Sequence, residues 1–162
     1  MKRSILLIAA TSLLLSCAQE QTHPKPTEWQ EVAIGANVLP LVLRMPENEQ
    51  VEVHSRWNET FGRLEIIGIK NDEIFIRESS ISCAQKRKEL ESGVFEVNYL
   101  EENDSLLIYT TSVPGSDEIY WNVYATKRGK ASIYAAEQNP LIAYSREDIV
   151  RMTATIKRIK AN

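Results

Sequence analysis

The chain is poor in the residues that build disulfide frameworks and metal centres. Its 162 residues include only two cysteines and two histidines. Neither C-x-x-C nor the paired Cys/His spacing of a zinc site occurs, and H-E-x-x-H, G-x-S-x-G and glycine-rich phosphate loops are missing as well. The sequence therefore predicts no metal site, no cofactor and no catalytic residue.

Basic residues are not in excess either. The chain has 19 lysines and arginines against 22 aspartates and glutamates, which gives a formal net charge of −3 at pH 7. Nucleic-acid binding needs a positively charged surface that neutralises phosphates. We therefore expect no nucleic-acid partner, and charge alone will not draw the chain to an anionic membrane.

The N-terminal apolar run is too short to span a membrane. Residues 5–15 are almost entirely apolar and follow Lys2 and Arg3. A helix of about 11 residues cannot cross a hydrocarbon core that is about 30 Å thick. A basic start followed by a short apolar run is typical of a secretory signal peptide.

The end of this run carries a more specific pattern. Leu14-Leu15-Ser16-Cys17 resembles the bacterial lipobox. The resemblance covers the first 17 residues and implies diacylglyceryl transfer to the Cys17 thiol, cleavage before Cys17 and acylation of the new amine with palmitate or a similar chain. Several acyl chains anchor firmly, because each buried methylene contributes about 0.8 kcal/mol. The alternatives are an ordinary signal peptide and a small N-terminal anchor helix.

The residue after the lipidated cysteine bears on the location. Ala18 rather than aspartate follows Cys17. By resemblance to the proteobacterial sorting rule, this favours the outer membrane over retention in the inner membrane. We therefore expect a lipid-anchored protein of the cell envelope that faces the periplasm or the exterior.

Three segments differ in composition. Residues 1–16 form the predicted signal peptide, residues 17–28 a polar tether with two prolines, and residues 29–162 one domain. A domain of this length can build its own core. If Cys17 carries lipid, Cys83 has no partner for an intramolecular disulfide. We interpret Cys83 as a small buried hydrophobe, with a reactive thiol or an intermolecular bridge as alternatives.

Alternating apolar and polar residues predict strands through most of the domain. We expect an α+β fold with a single antiparallel sheet of about six or seven strands. Glycine-flanked Arg63 to Ile67 and the run Glu73 to Arg77 form the clearest hairpin. The other strand-like runs are Trp29–Ala36, Leu39–Met45, Val51–Val53, Phe95–Tyr99, Leu106–Thr111, Tyr120–Thr126 and Lys130–Ala136.

Two helices are predicted to cover this sheet. A central helix lies within residues 79–92, where Ser79 or Ser80 caps its start and Gly93 stops it. A C-terminal helix begins at Ser145, which has capping-box spacing to Asp148. This second helix carries the stronger apolar stripe and is expected to be the main cover; the stripe is Ile149, Met152, Ile156 and Ile159.

The order of hairpin, strands, central helix, long meander and final helix resembles the PsbP/Mog1/DcrB-like group over roughly residues 38–160. That group includes bacterial lipoproteins and subunits that assist larger complexes, so the resemblance implies an accessory role and no shared catalytic residue. A cystatin-like or lipocalin-like sheet is the alternative. The matching segments are Leu43-Arg44-Met45-Pro46, Asn98-Tyr99, Tyr120 to Tyr124 and Ser145 to Lys160.

Four aromatic residues are candidates for a partner contact, namely Trp57, Tyr120, Trp121 and Tyr124. On a strand, Tyr120 and Tyr124 share one face and Trp121 lies on the other. One of these sets exposed on the surface would form a contact patch. The alternative is that all of them pack in the core or on the sheet.

The sequence favours a membrane-anchored envelope lipoprotein that acts as a protein-binding or accessory module without catalytic activity. One alternative is an envelope hydrolase that uses Cys83 or His54. Another is a carrier of a small apolar ligand between sheet and helix. The acidic clusters 71–73 and 101–104 also contain calcium-type oxygen ligands, although polar turns have the same composition.

Overall fold

The computed structural model describes residues 28–35, 37–47, 53–68 and 72–162. The predicted signal peptide, Cys17 and the tether up to residue 27 lie outside these ranges, as do residues 51 and 52 of one predicted strand. Within the described ranges, no helix is both long enough and apolar enough to cross a membrane.

Over these ranges the chain forms ten strands and two helices. Their order is β1 (Trp29–Ala33), β2 (Leu41–Pro46), β3 (His54–Asn58), β4 (Arg63–Ile67), β5 (Glu73–Glu78), α1 (Cys83–Glu91), β6 (Glu96–Asn103), β7 (Leu106–Ser112), β8 (Tyr120–Arg128), β9 (Ile133–Gln138), α2 (Arg146–Arg158) and β10 (Ile159–Ala161).

Seven strands form the larger sheet, in the order β3-β4-β5-β9-β8-β7-β6. All neighbours are antiparallel, and the predicted β4–β5 hairpin is confirmed, with Leu64 opposite Ile76. Strand β3 extends the sheet beyond β4, although the sequence pattern predicted a strand over Val51–Val53 with His54 in it or just after it. β3 was missed because polar residues dominate its sequence, His-Ser-Arg-Trp-Asn.

The prediction of a single sheet was wrong. A second antiparallel sheet has the order β1-β2-β10, and its third strand comes from the end of the chain. Ile159 has extended backbone angles, φ −77° and ψ 132°, where the apolar stripe predicted another helical turn. Ile159 pairs with Leu43 and is 2% exposed. The hydrophobic Ile159 side chain can be buried by either a helix or a strand. It lies in a strand because β2 has an unpaired edge with which Ile159–Ala161 pair.

Helix α2, the small sheet and one face of the large sheet share the main core. Ile149, Met152 and Ile156 are all 0% exposed, so the predicted role of α2 as the main cover is confirmed. The predicted capping box of α2 is also confirmed, with aspartate in place of the usual glutamate. Ser145 Oγ accepts a hydrogen bond from the Asp148 N–H, and the Asp148 carboxylate accepts one from the Ser145 N–H.

Helix α1 packs on the opposite face of the large sheet. Its N-cap is Ser82 rather than Ser79 or Ser80, because Gln85 completes a capping box with Ser82 alone. The helix buries Cys83, which belongs to a second apolar cluster with Leu107 and Tyr124. The next residue of the helix, Ala84, is exposed.

A candidate binding cleft at one end of the large sheet

Antiparallel pairing brings four chain segments to the same end of the large sheet. β6 and β8 begin there, and β7 and β9 end there. The loop of residues 139–144 then leads from β9 to α2. Together these segments enclose a cleft of about 330 Å³. We call it the sheet-end cleft; its lining includes Phe95, Val113, Tyr120, Trp121, Gln138 and Ile142.

The walls of the cleft are apolar and open to solvent. Phe95 is 51% exposed and Ile142 is 40% exposed. The residues that directly precede Phe95, Tyr120 and Ile142 in the sequence are also large, apolar and exposed. We call them the apolar rim: Val94, Ile119 and Leu141. Leu141 is 91% exposed. Single exposed hydrophobic residues are ordinary, but a cluster at the edge of one cleft marks a candidate contact surface.

Two polar side chains fasten the strand ends that line the cleft. Gln138 is 6% exposed; its Oε1 accepts from the Val123 N–H at 2.9 Å and its Nε2 donates to Asn122 Oδ1 at 2.7 Å. Asn122 Nδ2 in turn donates to Thr111 Oγ1 at 3.2 Å. These bonds link β7, β8 and β9 side by side, so the lining is held in place before any partner arrives.

The loop that carries Leu141 is anchored by Asn139. The Asn139 N–H donates to the Glu73 carbonyl at 2.9 Å, and its Nδ2 donates to the Glu73 carboxylate at 2.8 Å. Asn139 Oδ1 accepts from the Leu141 N–H at 3.0 Å, a local turn that suits an Asn-Pro sequence. The backbone of the loop is therefore fixed to β5, while the Leu141 side chain lies in solvent.

Acidic side chains lie beside the cleft. Glu96 follows Phe95, and Asp117 and Glu118 lie in the loop before Tyr120; all three are exposed. The Tyr120 hydroxyl donates to the Glu118 carboxylate at 2.7 Å, and this hydrogen bond raises the pKa of Tyr120. A basic side chain also lies close to one lining residue: the Arg146 guanidinium is 5.8 Å from the centre of the Trp121 ring.

The structure separates the four aromatic residues that the sequence singled out. Tyr120 and Trp121 both line the sheet-end cleft. Trp57 is partly buried and packs against the main core. Tyr124 is 2% exposed and lies on the α1 side of the sheet, where its hydroxyl donates to the Ile81 carbonyl at 2.9 Å. Burial raises the pKa of Tyr124, so this side chain is a neutral part of the second core.

Sequence reasoning missed the apolar residues of the loops. Phe95, Val113 and Ile142 line the cleft, and Leu141 lies at its rim. The sequence offers only a weak signal: Val113 and Ile142 are large apolar residues close to proline in segments that otherwise read as loops, whereas Phe95 was predicted to begin a strand. Their meeting at one place depends on the strand order, which the sequence pattern did not supply.

Cys83 and His54 are not brought together. Cys83 contacts Thr126 of β8, whereas His54 begins β3, four strand spacings away, which corresponds to about 19 Å. Cys83 is 1% exposed, and its Sγ lies 3.8 Å from Thr126 Oγ1. Burial raises the pKa of this thiol, which disfavours the nucleophilic thiolate.

The acidic clusters are engaged in ion pairs and hydrogen bonds. Asp72 pairs with Arg151 at 3.0 Å, Glu101 with Lys157 at 3.2 Å and Glu102 with Arg87 at 3.0 Å. In the described part of the chain, no group of three or more histidine, cysteine or acidic side chains has the arrangement of a metal site. The three carboxylates form ion pairs with side chains of α1 and α2.

A buried carboxylate that sequence reasoning did not single out lies on the outer face of β4. Glu65 is 4% exposed and accepts from Arg56 at 2.8 Å, Arg63 at 2.9 Å and Asn58 at 2.9 Å. Burial by itself raises the pKa of Glu65, but the hydrogen bonds from the two arginines and Asn58 lower it by more, so the net pKa lies below its usual value. The Arg63 guanidinium covers the Phe75 ring at 3.5 Å from its centre. The cluster is fully paired and stabilises the β3–β4–β5 edge of the sheet.

Comparisons with known proteins identify no relative: no protein-family model, curated protein or solved structure matches this chain.

Proposed function

We propose that this chain is a membrane-anchored envelope lipoprotein, held by acyl chains on Cys17, whose α+β domain binds a protein partner as a non-catalytic accessory module. The contact surface is the sheet-end cleft with its apolar rim. The observation that carries this proposal is the concentration of exposed hydrophobic side chains at that one end of the sheet, with Leu141 91% exposed.

The extent of the apolar surface favours a protein over a small ligand. Small molecules are usually buried by 70–90% or so within their pockets. Here the apolar rim lies outside the lining of the cleft, on three separate segments. A protein surface covers both the cleft and the rim, with an anchor side chain in the cleft and surrounding contacts that exclude water.

The chemistry of the cleft supports a binding role. The side chains of Gln138 and Asn122 form hydrogen bonds within the protein. Tyr120, an ionisable residue of the lining, has a raised pKa. General acid–base catalysis uses a group whose pKa lies near the working pH. Together with the buried Cys83 thiol, this arrangement favours recognition over hydrolysis.

The location rests on the N-terminal sequence. The lipobox-like segment places the anchor at Cys17, and Ala18 favours the outer membrane. Residues 17–28 span at most about 40 Å when extended, so the domain reaches partners near the membrane surface. An accessory role also agrees with what the resemblance to the PsbP/Mog1/DcrB-like group implies.

Affinity capture from solubilised membranes tests the proposal. The full chain should recover one stoichiometric partner, and Leu141→Asp should abolish that recovery because it places a charge in the apolar contact. Val150→Asp is the matched control, since Val150 is 58% exposed on α2 and is not a member of the rim. Recovery that is equal for both variants, or the absence of any stoichiometric partner, contradicts the proposal.

A carrier of a small apolar ligand is the second candidate, favoured by the size of the cleft. A volume of about 330 Å³ falls within the range of small-molecule sites. The space between the sheet and α2, where the sequence placed such a ligand, is occupied by fully buried side chains such as Met152. Native mass spectrometry distinguishes the two candidates, because a carrier retains bound lipid without any protein partner.

A further inference from the structure

We infer that the partner inserts an apolar anchor side chain into the sheet-end cleft and carries lysine or arginine beside that anchor. The inference rests on the proposed function of the cleft. It follows from the sign of the charges that border the cleft on the β6 and β7–β8 sides.

Acidic residues border these two sides without compensating bases. Residues 93–98 contain Glu96, residues 112–120 contain Asp117 and Glu118, and neither segment contains lysine or arginine. All three carboxylates are in exposed residues. Arg146 borders the cleft from the side of α2, where its guanidinium lies over the Trp121 ring. These three carboxylates and one guanidinium together carry a net negative charge. The negative charges lie on the β6 and β7–β8 sides of the cleft, and the positive charge lies on the α2 side.

The loop that holds two of these carboxylates has a defined conformation. The Ser116 N–H donates to the Val113 carbonyl at 2.9 Å, and Ser116 Oγ accepts from the Glu118 N–H at 3.1 Å. Gly115 has a φ of +81°, which a glycine adopts without strain. Tyr120, a lining residue, holds the Glu118 carboxylate at 2.7 Å. The charge of Glu118 is thus held at the edge of the cleft by a lining residue.

A cation beside the anchor gains from this arrangement in two ways. The exposed carboxylates attract it at little desolvation cost, whereas an acidic partner residue meets like charge. The long aliphatic stem of lysine or arginine also covers apolar surface such as Ile119 while its charged end stays in water. An acidic border disfavours an anionic lipid surface for the same reason that it favours a basic peptide.

Synthetic peptides test the inference on the full chain with Cys17→Ser, which removes the acyl anchor. Three peptides share one Trp-Leu anchor and differ only in flanking lysines, serines or glutamates, and fluorescence anisotropy measures their dissociation constants. The lysine-flanked peptide should bind about tenfold more tightly than the glutamate-flanked one, and added salt should reduce this difference.

Charge reversal locates the effect. Asp117→Lys should weaken binding of the lysine-flanked peptide by about threefold to tenfold. Glu59→Lys is the control, because it also reverses one negative charge but lies in the exposed turn between β3 and β4, at the other end of the sheet. It should leave the dissociation constant of the lysine-flanked peptide unchanged.

The outcomes separate the inference from the proposed function. Equal binding of the three peptides, all abolished by Leu141→Asp, overturns the inference and leaves the proposed function standing. Absence of peptide binding overturns both. If the chain instead sediments with phosphatidylcholine vesicles in a manner that depends on Leu141, the surface binds lipid and the inference is wrong.

Discussion

Two aromatic residues on the same strand of the large sheet have different surroundings. Trp121 and Tyr124 are three positions apart on β8, yet Trp121 borders an open cleft and Tyr124 is buried under α1. Alternation along a strand predicts that they point to different faces. It does not predict which face is covered, because that depends on helices that lie elsewhere in the sequence.

Cys83 illustrates a residue whose chemistry is set by burial. With Cys17→Ser as background, Ellman's reagent should label native Cys83 at least about a hundredfold more slowly than an exposed thiol, because the raised pKa and burial leave only transiently opened molecules reactive. Thiol labelling kinetics measure this directly. Thr60→Cys, in an exposed turn, supplies the fast reference in the same background with Cys83→Ala.

Labelling of native Cys83 at the rate of the exposed reference would contradict this prediction. It would then support the alternative of a reactive thiol. The sequence alone left both interpretations open, since a lone cysteine can be either a small buried hydrophobe or a reactive thiol.

At the scale of elements, short capping motifs determined where the helices begin. Three serines precede α1, and only Ser82 has a glutamine three positions later. The capping-box rule is therefore sufficient to place this start at Ser82 rather than at Ser79 or Ser80. For α2 the same rule was applied and confirmed, although the acidic partner, Asp148, is one methylene shorter than glutamate.

The capping carboxylate of α2 makes stability depend on pH. Hydrogen bonds from Ser145 and from Arg151 lower the pKa of Asp148 to about 2, below its ordinary value of 3.8. Because the pKa is lowered in the folded state, the ionised group contributes stability above about pH 4, and that contribution is lost as the pH falls toward about 2. Asp148→Asn should therefore destabilise the chain near neutral pH and match the wild type in acid.

Urea unfolding at several pH values measures the effect. The difference in midpoint between wild type and Asp148→Asn should shrink from about pH 6 to about pH 2. Glu147→Gln is the control, because it removes an exposed carboxylate from the same helical turn and leaves the capping box intact. A difference for Asp148→Asn that is constant over the whole range would show that the carboxylate is not the titrating group.

At the scale of the whole molecule, the two ends of the described chain meet across β2. β1 and β10 flank this strand, and Lys160 of β10 lies 3.3 Å from Glu31 of β1. The two edge strands differ in burial: the five residues of β1 are all exposed, whereas Ile159 of β10 is 2% exposed. The C-terminal strand is therefore the one that closes the core.

Removing residues 159–162 should destabilise the domain by about 2–5 kcal/mol, because it deletes the buried Ile159 side chain and the pairing of β10 with β2. Chemical denaturation of the purified chain measures this loss. Lys160→Ala, which removes only an exposed ion pair, should cost at most about 1 kcal/mol. Equal stability of the truncated and full-length chains would contradict the role of β10.

Interactions between neighbours along the chain were enough to predict several of the individual elements. The β4–β5 hairpin, both helices and the strong apolar stripe of α2 followed from hydrophobic period, capping residues and turn residues, which act between neighbours along the chain. The sequence also supplied every indication of location, since the lipobox-like segment is a linear pattern that ends at Cys17.

The number of sheets and the position of the cleft depend instead on contacts between segments that are far apart in the sequence. β10 forms because β2 offers an unpaired edge, and the sheet-end cleft forms because the order β9-β8-β7-β6 gathers Phe95, Tyr120 and Ile142 from three separate segments. Pairing between distant strands depends on register and on which faces are already covered, and neither is encoded within a short window of sequence.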